Sequence, residues 1–76
     1  MNVTVKCFAS LREQAGFSEM SVALIDGDSA ADIWARISEI PLDPHIKVAI
    51  NKQYAEQFSA VKDGDEVAFF PPVTGG

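Results

Sequence analysis

Cysteine, histidine and tryptophan each occur once in this chain, and cations are few: six lysines and arginines stand against eleven aspartates and glutamates, a formal charge of −5. The single Cys7 excludes an internal disulfide and fits a reducing compartment, so a cytoplasmic protein is expected. No spacing of His, Cys or carboxylates suits a metal, and none is expected; His45 sits alone beside Pro44 and reads as a surface histidine. There is no Ser/His/Asp set, no Cys/His pair close in sequence and no phosphate-binding glycine loop, so the chain has nothing that looks like an active site of its own. Its apolar runs are too short to cross a membrane. The N-terminus runs from Met1 straight into a strand pattern, so no signal peptide is expected. The acidic surplus argues against nucleic acid or an anionic membrane as partner, since both would repel it. It suits partners with basic docking surfaces, or it serves solubility alone.

What is present describes one small domain. The 76 residues are 47% apolar, in the range of folded globular chains. A chain of this size buries only about 60% of its unfolded surface, so its core is small.

Residues 2–8 alternate, with Val3, Val5 and Cys7 on one face and Thr4, Lys6 and Phe8 on the other. The valine face is the core face, which makes Cys7 a small core hydrophobe and leaves Phe8 on the polar side. Ser10 and Glu13 have capping-box spacing and Gly16 stands at a stop position, predicting one or two helical turns. Residues 19–25 alternate again, with Met20, Val22 and Leu24 on one face, and the short link predicts an antiparallel partner for the first strand. Ser29 caps a helix whose stripe is Ala30, Ile33, Trp34, Ile37 and Ile40, ended by Pro41, with Trp34 at the centre of the core. Residues 47–51 predict a third strand with Val48 and Ile50 inward, and residues 53–55 a short fourth. Val61 anchors the chain before the turn Lys62-Asp63-Gly64-Asp65. The last strand is Glu66–Phe70, with Val67 and Phe69 inward and Glu66, Ala68 and Phe70 outward. The fold class is therefore α+β, a mixed sheet of four to five strands with one main helix on one face, which matches the β-grasp. In that fold the first and last strands are neighbours, which would bring Phe8 and Phe70 together on the uncovered face. An aromatic pair exposed there is a docking signal.

The stretch Phe69-Phe70-Pro71-Pro72-Val73-Thr74-Gly75-Gly76 ends the chain. Residues 71–76 carry no charged side chain, and fully extended they reach roughly 20 Å. The two prolines favour an extended path and donate no ladder hydrogen bonds. Gly75 and Gly76 have no side chains and suit a channel too narrow for a Cβ. This geometry suits a protein whose reactive group is its own C-terminal carboxylate.

The run Asp63-Gly64-Asp65-Glu66-Val67-Ala68-Phe69-Phe70-Pro71-Pro72-Val73-Thr74-Gly75-Gly76, together with Phe8-Ala9, Leu11-Arg12-Glu13 and Gly16, resembles the small, sulfur-carrying subunits of molybdopterin synthase. The resemblance covers the whole chain, and its specific part is the C-terminal run. It implies a ubiquitin-like β-grasp domain over residues 1–76 with an extended tail from 71. It implies that an ATP-using, E1-like enzyme adenylates the Gly76 carboxylate, and that sulfur then displaces AMP to leave a thiocarboxylate. It implies that the tail, Pro72, Val73, Thr74 and Gly75, inserts into a large catalytic subunit, in a heterotetramer, where Gly76 donates sulfur to cyclic pyranopterin monophosphate. The partner-contact positions it carries over are Phe8, Tyr54 and Phe70; strand parity independently turns Phe8 and Phe70 outward and leaves Tyr54 undetermined. No cofactor bound by the chain is implied, ATP belonging to the activating enzyme. The alternatives are a sulfur carrier for thiamine thiazole synthesis, a protein modifier joined through Gly76 to lysines, and a bare interaction module. Phe-Phe-Pro-Pro favours the molybdopterin reading over the thiamine one.

Overall fold

The computed structural model describes residues 1–71. Its elements run β1 (Asn2–Cys7), α1 (Ala9–Ala15), β2 (Glu19–Ala23), α2 (Ala30–Ile37), β3 (Lys47–Ile50), β4 (Gln53–Ala55) and β5 (Glu66–Phe70). The strands form one sheet in the order β2-β1-β5-β3-β4, with β1 and β5 parallel at its centre and the other pairs antiparallel. This is the mixed β-grasp sheet, with five strands.

The inward residues of the central strands close the core. Val3, Val5, Cys7, Val48, Val67 and Phe69 are all buried, and α2 lays Ala30, Ile33 and Trp34 against them. Trp34 packs on Phe69 with ring centroids 4.8 Å apart. Its indole N–H donates to the Ile40 carbonyl at 2.7 Å, so the polar edge of a buried aromatic finds its partner. On the edge strand β2, Val22 is buried while Met20 remains more than a third exposed, because no further strand covers it.

The two helix starts have different causes, one local and expected, the other a contact with a distant strand. At α2 the Ser29 hydroxyl accepts from the Asp32 N–H and the Asp32 carboxylate accepts from the Ser29 N–H, a complete capping box. At α1 the Ser10–Glu13 box does not form. The cap residue is Phe8, which makes no side-chain cap bond, and the helix opens at Ala9 with φ +51. Phe8 is still extended and laddered to β5, its N–H donating to the Phe69 carbonyl at 3.2 Å, so the chain must turn sharply at Ala9 and Ser10 lies inside the helix. Gly16 ends α1 as expected, at φ +84 with its N–H on the Arg12 carbonyl.

The α2 helix also ends before Pro41. Ser38 turns extended, and its hydroxyl accepts from the Ile40 N–H at 3.1 Å. Ile40 therefore joins the core from the loop rather than from the helical stripe.

The turn before α2 holds a charge pair that local pattern did not reveal. Asp28, 6% exposed, accepts from Arg36 Nη2 with both carboxylate oxygens, at 2.7 and 2.8 Å, and from the Ile25 N–H at 2.9 Å. Arg36 also donates to the Ala23 carbonyl at 3.1 Å, which ties α2 to the end of β2.

Candidate functional site

The face of the sheet opposite α2 is built by strand parity and register together. Outward parity on β1 gives Thr4, Lys6 and, one step past the strand, Phe8. On β5 it gives Glu66, Ala68 and Phe70. Parallel pairing sets Lys6 opposite Ala68 and Cys7 opposite Phe69, so Phe8 arrives beside Phe70. Their rings stack at 4.8 Å between centroids and 5° between planes.

Register decides the facing of Tyr54 as well. Ala68 pairs with Ala49, and Ala49 with Tyr54, so Lys6, Ala68, Ala49 and Tyr54 form one row across the sheet. Tyr54 lies on the Phe70 side, with centroids 6.4 Å apart and planes inclined at 56°. The two alanines are the floor of a recess of about 330 Å³ walled by Phe8, Phe70 and Tyr54 and edged by Lys6, Lys52 and Glu66. Phe8 is 39% exposed and Tyr54 82%, an unusual outlay of aromatic surface for so small a domain.

Charge is distributed unevenly over this face. Lys6 Nζ lies 3.4 Å from Glu66 and 3.8 Å from Glu19, so its charge is matched within the sheet. Lys52 follows Asn51 in the two-residue turn between β3 and β4, at φ +69 and +52 respectively. Asn51 is anchored on both ends of its amide, donating to Asp65 at 2.8 Å and accepting from the Glu66 N–H at 3.0 Å. Lys47, exposed, is the cross-strand partner of Phe70.

Cys7 sits on the opposite, covered face at 2% exposure, and burial pushes its thiol above the ordinary range. A buried thiol kept protonated is packing, not a nucleophile. His45 does have an acidic partner, contrary to the sequence reading. Its Nδ1 is 3.0 Å from Asp43 Oδ1, and the same oxygen accepts the His45 N–H at 2.7 Å. Two residues of separation in a turn brought the pair together; the His45 side chain is 82% exposed and remains a surface group. Among the described residues no group of three or more His, Cys, Asp or Glu is placed to hold a metal. Among the same residues no helix is long and apolar enough to cross a membrane.

The chain leaves the sheet at Pro71, directly after the stacked Phe70. Pro71 lines a cleft of about 490 Å³ with Leu11, Ile40, Pro41 and Ile46. The tail positions Pro72, Val73, Thr74, Gly75 and Gly76 lie outside the described residues.

The family model described as the ThiS family matches residues 5–76. The chain belongs to the ThiS family. The molybdopterin synthase sulfur carrier subunit of Chlamydomonas reinhardtii is 40% identical over 83 aligned positions, covering 100% of each chain. That of Escherichia coli is 37% identical over 83 positions, covering 97% of this chain and 99% of the relative. The family of molybdopterin synthase sulfur carrier subunits therefore includes this chain. Among solved structures, small archaeal modifier protein 1 of Haloferax volcanii superposes with a TM-score of 0.73 at 31% identity, over 95% of this chain and 98% of that one.

Sequence reasoning found Phe8 and Phe70 by parity and took Tyr54 from resemblance. It missed Lys47, Ala49 and Lys52 as members of the face. The signal for the first two was present: if Val48 and Ile50 point inward, Lys47 and Ala49 point outward. Lys52 was visible only as a turn residue.

Proposed function

We propose that this ThiS-family chain is the sulfur-donating subunit of a molybdopterin synthase, and that its reactive group is the Gly76 carboxylate. The observation that carries the reading is the full-length similarity to molybdopterin synthase sulfur carrier subunits, with a family match that runs through residue 76. The chemistry agrees with the residues. A carboxylate is a poor electrophile until one oxygen becomes a good leaving group. Attack of a Gly76 oxygen on the α-phosphorus of ATP releases pyrophosphate and leaves an acyl-adenylate, in the active site of an E1-like enzyme. Hydrosulfide then attacks the acyl carbon, AMP departs, and loss of the thiol proton leaves a thiocarboxylate. In the large catalytic subunit this sulfur passes to cyclic pyranopterin monophosphate. Both sites must exclude water to protect the activated carbon, and a tail of Pro72, Val73, Thr74, Gly75 and Gly76, with no charged side chain, can thread such sites.

In this reading the chain divides its labour. The platform of Phe8, Phe70 and Tyr54 docks on the large subunit, and the tail leaving at Pro71 carries the chemistry. Incubation with the activating enzyme, ATP and a sulfur source should exchange one terminal oxygen for sulfur, and tandem mass spectrometry should locate the sulfur at Gly76. Sulfur found on Cys7 instead would overturn the mechanism.

One observation favours a second reading, the likeness to a small archaeal modifier protein. A modifier would join Gly76 to lysines through isopeptide bonds. Isopeptide adducts recovered from native cells, with molybdoenzyme activity intact when the chain is deleted, would favour it.

A further inference from the structure

The chain is acidic, yet the face that carries Phe8, Phe70 and Tyr54 is edged with cations. Of its six basic residues, Lys6 and Lys52 line the recess and Lys47 stands opposite Phe70 across the β3–β5 ladder. Only one of the three is used within the fold: Lys6 is held by Glu19 and Glu66, whereas neither Lys47 nor Lys52 is ion-paired among the described residues.

The backbone at Lys52 is a second, independent observation. A two-residue hairpin turn with both residues at positive φ favours Asn-Gly. Asn51 occupies the first position and is fixed by Asp65 and the Glu66 N–H, but the second is a lysine at φ +69. The left-handed region is unfavourable for a residue with a Cβ, and strain of this kind collects where a side chain is needed. The strained turn sets Lys52 at the rim beside Tyr54.

We propose that Lys47 and Lys52 form a basic rim that pairs with carboxylates on the partner seated on the Phe8–Phe70–Tyr54 platform. The proposal deepens the docking reading given above and rests on it. The partner surface it specifies is an apolar seat flanked by acidic side chains, the reverse of what the chain's net charge suggests. Net charge acts at long range, whereas the rim acts within a Debye length of about 8–10 Å. Rim charges govern association rate, register and the exclusion of wrong partners more than raw affinity.

The test is calorimetric titration of the large subunit at low and high salt with five proteins. These are the unaltered chain, Lys47→Glu/Lys52→Glu, Lys52→Gly, Lys62→Glu as a charge control in the turn that precedes β5, and Phe70→Ala. Circular dichroism establishes that each is folded, and Lys52→Gly, which relieves the left-handed strain, serves as a rim variant that melts no lower than the parent. The double reversal should weaken binding by about ten-fold or more at low salt and invert its salt dependence, while Lys62→Glu shifts it by less than about two-fold. Lys52→Gly should weaken binding without loss of melting temperature. If Phe70→Ala weakens binding and the rim variants do not, the platform stands and the rim proposal fails. Tighter binding by the double reversal would mean that the facing surface is basic, and would also overturn it. Unchanged binding by Phe70→Ala would remove the platform reading and the rim with it.

Discussion

Phe8 and Phe70, sixty-two positions apart in sequence, stack face to face with centroids 4.8 Å apart and planes 5° from parallel. Neither ring enters the core; the stack stands on the open face of the sheet, at the point where the chain turns into its tail. One end of the domain thus carries both a preorganised aromatic surface and the root of the segment that would be handed to a partner.

Phe70→Ala tests the docking half of this arrangement. Truncating a buried interface aromatic commonly costs about 2 kcal/mol or more, roughly thirty-fold in affinity. The isolated domain should stay folded, losing only the stacking contribution of about 0.5–1.5 kcal/mol. Titration against the large subunit and a thermal melt measure the two effects; unchanged affinity would put docking elsewhere.

Deleting Gly76 tests the other half. The platform is untouched, so affinity should stay within a few-fold of the parent. Single-turnover sulfur transfer should fall to background, because the carboxyl carbon no longer reaches the reacting centre. Full activity in the shortened chain would show that chemistry does not reside at Gly76.

Cys7→Ala separates packing from sulfur chemistry. Cys7, at the end of β1 opposite Phe69, is buried at 2% exposure with its thiol pushed up by desolvation. Removing its sulfur should cost on the order of 1 kcal/mol, read from chemical denaturation, with sulfur transfer retained. A stable variant unable to carry sulfur would reverse the assignment.

Acid sensitivity should trace to Asp28. Hydrogen bonds from Arg36 and then from the Ile25 N–H hold its carboxyl below the usual range. Asp65, bonded by the Lys62 N–H and Asn51, is lowered as well. A carboxylate with a depressed folded pKa stabilises the fold fully above its unfolded value of about 3.9, and that contribution is lost as pH falls through the folded value. Melting temperature should therefore be flat near neutrality and fall below about pH 4. Asp28→Asn should lower stability at pH 7 by about 1–2 kcal/mol, less than for a fully buried pair because Arg36 is one-third exposed. Its acid decline should be shallower than the parent's. An acid limb identical in the two proteins would remove Asp28 from the account.

The sequence by itself determined the parts that depend on neighbours along the chain. Alternation placed Val3, Val5 and Cys7 inward and Phe8 outward, because side chains of a strand change face at every residue. The spacing of Ala30, Ile33 and Trp34, with Ser29 before them, determined a capped amphipathic helix. Local pattern failed where a contact outside it competed, across the sheet at α1 and in the loop after α2. Ser10 lost its cap because β5 holds Phe8 extended, and α2 stopped early because Ser38 and Trp34 take the polar groups of Ile40. Only the tertiary structure decided which outward residues meet. Period-two alternation assigns a face within a strand but carries no information on which strand lies beside it or in what register. The parallel pairing of β1 with β5 set Phe8 on Phe70, the β5-β3-β4 ladder turned Tyr54 to the same side, and the anchored turn at Asn51 put Lys52 at their rim.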